Sequence, residues 1–158
     1  MLFRSVTLII TSPVLISDVY VQPGLHGADI SLEVLNTLSN SVMLSLDYTI
    51  TSITDGTVLY STPKSTAIQI ASEATTKVKL STPQLKPKLW SPQDPNLYEL
   101  EVRLSDQDKV VDNSKVRFGF RTFACEGSRF LLNGRPFWLR GADPFPNALR
   151  PKDRKSVV

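Results

Sequence analysis

Between Leu97 and Leu104 apolar and polar residues alternate almost without fault. Tyr98, Leu100, Val102 and Leu104 share one side, and Glu99, Glu101 and Arg103 the other. Successive side chains of an extended chain point to opposite faces, so this pattern is a strand with one dry face and one wet one. The pattern recurs along the chain. Val6, Leu8 and Ile10 mark a strand over Phe3–Ile10, and Val14–Val21 follows it. Over Ala28–Leu38 the residues Ile30, Leu32, Val34 and Asn36 share a face. Over Val42–Ile53 the inward row is Leu44, Leu46, Tyr48 and Ile50. Val58–Tyr60, Ala67–Ile70, Thr76–Leu80 and Val110–Phe120 complete seven to nine short strands.

Turn signals stand between them. Ser39-Asn40-Ser41 reads as a hairpin-type turn, Asp55-Gly56 as a tight one, and Asp106 to Lys109 as another. Eleven prolines and seven glycines suit this spacing, and no helical periodicity precedes residue 150. The fold class expected is all-β: an immunoglobulin-like antiparallel β-sandwich, with a β-barrel as the structural alternative. Thr82–Pro95 is proline-rich and irregular, but Leu85, Leu89 and Trp90 predict that it lies against the core. After Lys115 the chain closes the sandwich through Phe118-Gly119-Phe120-Arg121, crosses a break at Cys125-Glu126-Gly127, and forms a hairpin on Asn133-Gly134.

Composition excludes several function classes. With 41% apolar and 21% charged residues the chain is neither disordered nor membrane-spanning by helices. Val6–Ile10 is too short an apolar block for a secretory signal, so any export signal of a parent protein is expected elsewhere. One cysteine, Cys125, excludes an intrachain disulfide, and His26 is the sole histidine, so a Cys-His nucleophile has no motif behind it. No cofactor is implied. Residues 115–158 carry ten lysines and arginines against three carboxylates, while residues 1–114 carry eight against twelve. That basic surplus is spread over strands and turns, so it reads as a face toward an acidic partner domain rather than a nucleic-acid footprint.

The carboxylates offer little. Glu99 and Glu101 lie two apart on one strand face beside Arg103, which is the pattern of a solvated surface rather than of an acid and base across a cleft. Asp106 and Asp108 lack the frame of a calcium loop and read as a turn. His26 reads as an exposed loop residue, and Trp90 and Trp138 as structural apolar residues rather than sugar platforms.

Three stretches together resemble glycoside hydrolase family 2. Leu2 to Leu8 resembles the segment by which those enzymes leave their jelly-roll domain. Leu89-Trp90-Ser91-Pro92 with Pro95-Asn96-Leu97-Tyr98 resembles a signature late in their immunoglobulin-like domain. Phe118 to Thr122, then Phe130 to Pro136 and Leu139-Arg140-Gly141, resemble the passage into their catalytic barrel. The resemblance implies a sandwich at 1–122, then a linker hairpin and the truncated start of a (β/α)8 barrel at 123–158, with Phe137–Arg140 as its first strand. It implies a retaining exo-β-glycosidase with two catalytic glutamates about 5 Å apart. Those glutamates belong to later barrel strands, and none of Glu33, Glu73, Glu99, Glu101 or Glu126 corresponds to them, so the chain is expected to be inactive alone. Arg140 and Asp143 would line the sugar subsite of the intact enzyme. Asp143 replaces the common Asn, and Pro144-Phe145 replaces the Arg-His of β-galactosidase-like members, which leans toward the β-mannosidase and glucosaminidase side. The partners implied are a jelly-roll domain, a barrel and a β-glycoside substrate, with no nucleic acid or membrane. An exposed hairpin edge predicts self-association. The competing reading is a stand-alone carbohydrate- or protein-binding module.

Overall fold

A computed structural model describes residues 10–107 and 109–139. All regular structure among them is β. The chain divides into two compact units at Thr122.

The first unit contains β1 (Val14–Pro23), β2 (Ala28–Asn36), β3 (Val42–Ser52), β4 (Val58–Ser61), β5 (Thr66–Ile70), β6 (Ala74–Ser81), β7 (Tyr98–Asp106) and β8 (Lys109–Phe118). One sheet runs β1-β2-β6 and the other β4-β3-β7-β8, with β5 also paired to β3; every pairing is antiparallel. The period-two rows decide which face each sheet buries. Ile30, Leu32 and Val34 from one sheet, and Leu46, Ile50, Leu100, Val102 and Leu104 from the other, are all essentially inaccessible. Val78 and Leu80 of β6 add to this core, while Lys77 and Lys79 face outward. Removing that much branched apolar surface from water is the main term favouring the sandwich.

Ser39 to Ser41 does not close a hairpin. β2 and β3 lie in different sheets, so this turn carries the chain across the core rather than back along its neighbour. Its physical anchor is Asn36, the one buried polar side chain among the described residues. Asn36 Nδ2 donates to the carbonyls of Asn40 (2.9 Å) and Ala71 (3.0 Å), and its Oδ1 accepts from the Leu38 amide at 2.9 Å. The amide thus satisfies three backbone groups that leave the ladder where the chain changes sheets.

Two other polar contacts join parts that the ladders leave apart. At the bulge between Ile16 and Asp18, the Ile16 amide donates to Asp112 Oδ2 at 2.7 Å, tying β1 to β8 across the sheets. β4 and β5 share the same edge of β3, and Thr62 fills the gap by bonding both the amide and the carbonyl of Tyr48. Burial pushes the Tyr48 phenol up, and nearby Tyr60 adds to that; the hydroxyl donates to the Ser81 carbonyl.

The second unit contains β9 (Phe123–Glu126), β10 (Arg129–Leu132) and β11 (Arg135–Phe137), an antiparallel meander in the order β11-β10-β9. The expected break at Cys125-Glu126-Gly127 is therefore a strand and a turn: Cys125 pairs with Phe130, Glu126 with Arg129, and Gly127 takes a positive φ of 57°. The Asn133-Gly134 turn is as expected, with φ of 54° and 74°, the left-handed values that a type I′ turn needs at both central positions. The expected barrel strand Phe137–Arg140 differs over its described part: Phe137 ends β11, and Trp138 and Leu139 are irregular. Phe3 to Arg4 and the rest of the expected first strand up to Ile9 lie outside the described residues, and Ile10 is exposed coil.

Candidate functional site

The two motifs that carry the family resemblance within the sandwich meet in space. Lys88 donates its amide to the Tyr98 hydroxyl at 2.9 Å, and Leu85 is buried, so the proline-rich segment does lie against the core. Trp90 then donates its amide to the Phe120 carbonyl at 2.8 Å. Its ring rests on the backbone of Gly119: a Cβ there would lie 2.9 Å from Trp90 Cβ and 3.1 Å from Cδ1 and Cγ. Only glycine admits an indole so close to the main chain. The Arg121 guanidinium sits over the same ring, 4.8 Å from its centroid. Beneath this group Phe120 meets Tyr98 and Phe118 edge-on, with centroids at 5.0 and 4.9 Å.

The loop after Trp90 is held from within. Ser91 and Asp94 exchange backbone hydrogen bonds, and Asn96 Nδ2 donates to the Leu89 carbonyl and to Asp94 Oδ2. Trp90 and Pro95 face each other as an isolated β-bridge. Replacing Gly119 by Ala is expected to lift the indole and cost about 1–3 kcal/mol by overpacking. In a Trp138→Phe background, where Trp90 is the only tryptophan, the emission should move to the red. An unchanged spectrum and unchanged stability would show that the ring yields freely.

The outer face of β7 and β8 is an ion-pair lattice. Glu101 bonds Arg103, and Lys115 bonds Glu99 at 2.8 Å. Partial burial pushes Glu101 up, but Arg103, Asn113 and Lys115 outweigh it and hold the carboxyl below its usual range. Hydrogen bonding to Glu99, together with the charges of Glu101 and Glu99, holds the Lys115 ammonium above its usual range. Both glutamates thus bond neighbours on one outer sheet face, and Glu101 is held as an anion there. His26 is an exposed loop residue whose carbonyl accepts from the Leu85 amide. Cys125 is exposed on β9. Among the described residues no group of His, Cys, Asp or Glu could hold a metal ion. Asp106 ends β7 opposite Lys109, and Asp108 lies outside the described residues. Arg140 and Asp143, the expected subsite residues, also lie outside them.

The meander is different in character. Phe123 and Phe130 stack at 5.6 Å, and Trp138 is 86% exposed. Ser128, Arg129, Phe130, Pro136, Phe137, Trp138 and Leu139 border an open, largely apolar concavity of about 460 Å³. The hairpin on Asn133-Gly134 was legible in the sequence, whereas the stacking of Phe123 on Phe130 depends on β9, which was not.

The architecture defines the first unit as an immunoglobulin-like sandwich with one end sealed by an indole, a glycine and a guanidinium. Comparison with known proteins places that sandwich. Residues 14–121 match the model of the glycosyl hydrolases family 2, and the chain belongs to that family. It is 46% identical over 56 residues to a putative β-glucuronidase of Formosa agariphila, covering 35% of this chain and 5% of that one. A β-galactosidase of Vibrio vulnificus is 28% identical over 150 residues, which is 90% of this chain and 14% of its own. The crystal structure of a glycosyl hydrolase family 2 member from Bacteroides cellulosilyticus superposes with a TM-score of 0.72 at 25% identity, covering 83% of this chain and 19% of that one. The chain thus spans less than a fifth of the length of each of these proteins. It matches one portion of each of these relatives.

Proposed function

We propose that this chain is the non-catalytic bridging portion of a retaining exo-β-glycosidase, with the sandwich at 1–122 and the passage into a catalytic barrel at 123–158. The observation that carries it is the state of the described carboxylates. Glu99 and Glu101, the one pair close in sequence, are held by Lys115 and Arg103 on an outer sheet face, with no cleft between them. A retaining site needs two carboxyls about 5 Å apart on either side of the scissile bond, one of them protonated at rest. Family membership supports the reaction class, and the placement of Glu99 and Glu101 among the described residues supports a catalytic pair carried by another domain. Arg140 and Asp143 would border the sugar subsite from the end of the meander segment, as the family's passage into the barrel suggests. The named relatives include a putative β-glucuronidase and a β-galactosidase, and the choice of sugar belongs to the catalytic domain.

In the intact enzyme the aromatic face of the meander is covered by the following domain. Alone, this chain should associate with itself through that face, since a meander whose outer strands pair only with β10 among the described residues, with Phe123, Phe130 and Trp138 exposed, leaves apolar surface in water. One preparation tests both statements. The chain should hydrolyse p-nitrophenyl β-glycosides no faster than background, and its sizing profile should shift toward monomer when Phe130 and Trp138 are replaced by Ser. Turnover above background would end the bridging assignment, and a concentration-independent monomer would end the self-association.

A further inference from the structure

The meander has two outer strands, and their edges are not alike. Gly127-Ser128 and Asn133-Gly134 are both two-residue loops, because Glu126 faces Arg129 and Leu132 faces Arg135. Residues flanking such a loop exchange both backbone hydrogen bonds, and bonded and non-bonded pairs then alternate away from it. Along β11 this puts Pro136, opposite Leu131, at a non-bonded pair, so its backbone faces away from β10. Proline brings no N–H to that position. The edge of β11 therefore offers an acceptor without a donor there, which blunts it against further pairing.

On β9 the same alternation puts Phe123 and Cys125 at the non-bonded pairs, opposite Leu132 and Phe130. Both turn an N–H and a C=O away from β10, and among the described residues no strand pairs with them. β9 contains neither proline nor lysine. Its one charge, Glu126, faces Arg129, so opposite charges meet within the copy. Phe123 and Cys125 share a face, on which Phe123 stacks with Phe130 and stays half exposed.

We propose that β9 is the strand by which two copies of this chain join, antiparallel about a two-fold axis at Ala124. The inference rests on the self-association proposed above and assigns its edge and register. Two outward-facing residues spaced two apart are complementary to themselves under such an axis. Phe123 of each copy then exchanges both backbone hydrogen bonds with Cys125 of the partner subunit, and the two three-stranded meanders merge into one sheet. The face bearing Phe123 and Phe130 runs on across the joint. Ala124 meets Ala124 of the partner subunit at a non-bonded pair, with Cα atoms about 4.5 Å apart, inside the range of a disulfide. The two Cys125 residues are offset along the strands to about 8 Å, outside that range.

The test uses this chain. Ala124→Cys in a Cys125→Ala background should be trapped as a covalent dimer by oxidised glutathione, whereas the wild type, with Cys125 alone, should stay largely uncross-linked. Cys125→Pro removes the outward amide of each copy and no bond to β10, so the dimerisation midpoint in sedimentation should rise about tenfold or more. Cys125→Ala keeps that amide and should leave the midpoint nearly unchanged. Wild type cross-linking as readily as the Ala124→Cys variant would overturn the register, and the proposal with it. An unchanged midpoint in Cys125→Pro would overturn the edge and leave self-association to the aromatic face alone. A wild type that stays monomeric at every concentration would end the self-association itself. The cross-link decides independently of any effect of proline on the meander, because Ala124 is exposed and its replacement leaves the ladder whole.

Discussion

Phe120→Ala is expected to destabilise the sandwich by about 3–5 kcal/mol, which for a unit of this size is a large part of its total stability. Phe120 is completely buried and is the largest such side chain in the core. Its removal takes away three things together: the transfer free energy of a phenyl group, the edge contacts to Tyr98 and Phe118, and the floor beneath the Trp90 segment. Tyr98 and Phe118 are directly opposed across β7 and β8, so ladder hydrogen bonds keep them from collapsing into the space. The cavity should therefore persist, which places the cost at the upper end. Phe120→Leu keeps most of the volume and loses the aromatic edges, and should cost about 1–1.5 kcal/mol. Denaturant melts of the two variants check the ordering. A loss below about 1 kcal/mol for Phe120→Ala would mean that the aromatic group is not a structural centre.

The rows that surround Phe120 were readable before any coordinates, because alternation is a direct consequence of the pleat. Tyr98, Leu100, Val102 and Leu104 are buried while Arg103 is exposed, and Leu44, Leu46, Tyr48 and Ile50 do the same on the next strand. What alternation cannot state is which strand lies beside which. Ser39 to Ser41 has the residues of a hairpin turn, yet the strands on either side belong to different sheets. β9 escaped notice for another reason: Ala124, Cys125 and Glu126 are all exposed, so no buried face imposes a pattern on them. The bond from Ile16 to Asp112 spans ninety-six positions and has no local signal at all. At the candidate site, Trp90 was legible as a structural residue against the core, and Gly119 and Arg121 as part of the closing strand, but not the contact among the three. Their meaning is a contact between two separated motifs, and it became physical once the missing Cβ of Gly119 was seen beneath the indole.

Asn36 gives the second large effect, and its pH dependence separates mechanism from simple disruption. Asn36→Asp changes one atom in size hardly at all, but turns two donated hydrogen bonds into two oxygen–oxygen contacts. The carbonyls of Asn40 and Ala71 would then face a carboxylate oxygen at the distances where they now receive N–H groups, 2.9 and 3.0 Å. Only the Leu38 amide would still find an acceptor. A buried charge without a counter-ion is expected to cost about 3–5 kcal/mol at neutral pH. Burial and the facing carbonyls must raise the new carboxyl above the ordinary aspartate value of about 3.9. A carboxyl raised in the folded state binds its proton more tightly there than in the unfolded chain. Its neutral form is therefore tolerated below about pH 4, and the deficit relative to wild type grows as the pH rises above that value until the folded group ionises. In its protonated form the hydroxyl can restore one of the two lost donations, so the gap to wild type should narrow, without closing, in acid. Asn36→Ala lacks any titrating group, and should carry a deficit that does not vary over the same range. Equilibrium unfolding of the three proteins between about pH 4 and 7 distinguishes the cases. Parallel curves for the aspartate and alanine variants would show that water reaches position 36. The crossing between sheets would then depend on the chain around Leu38 and Asn40 rather than on the buried amide.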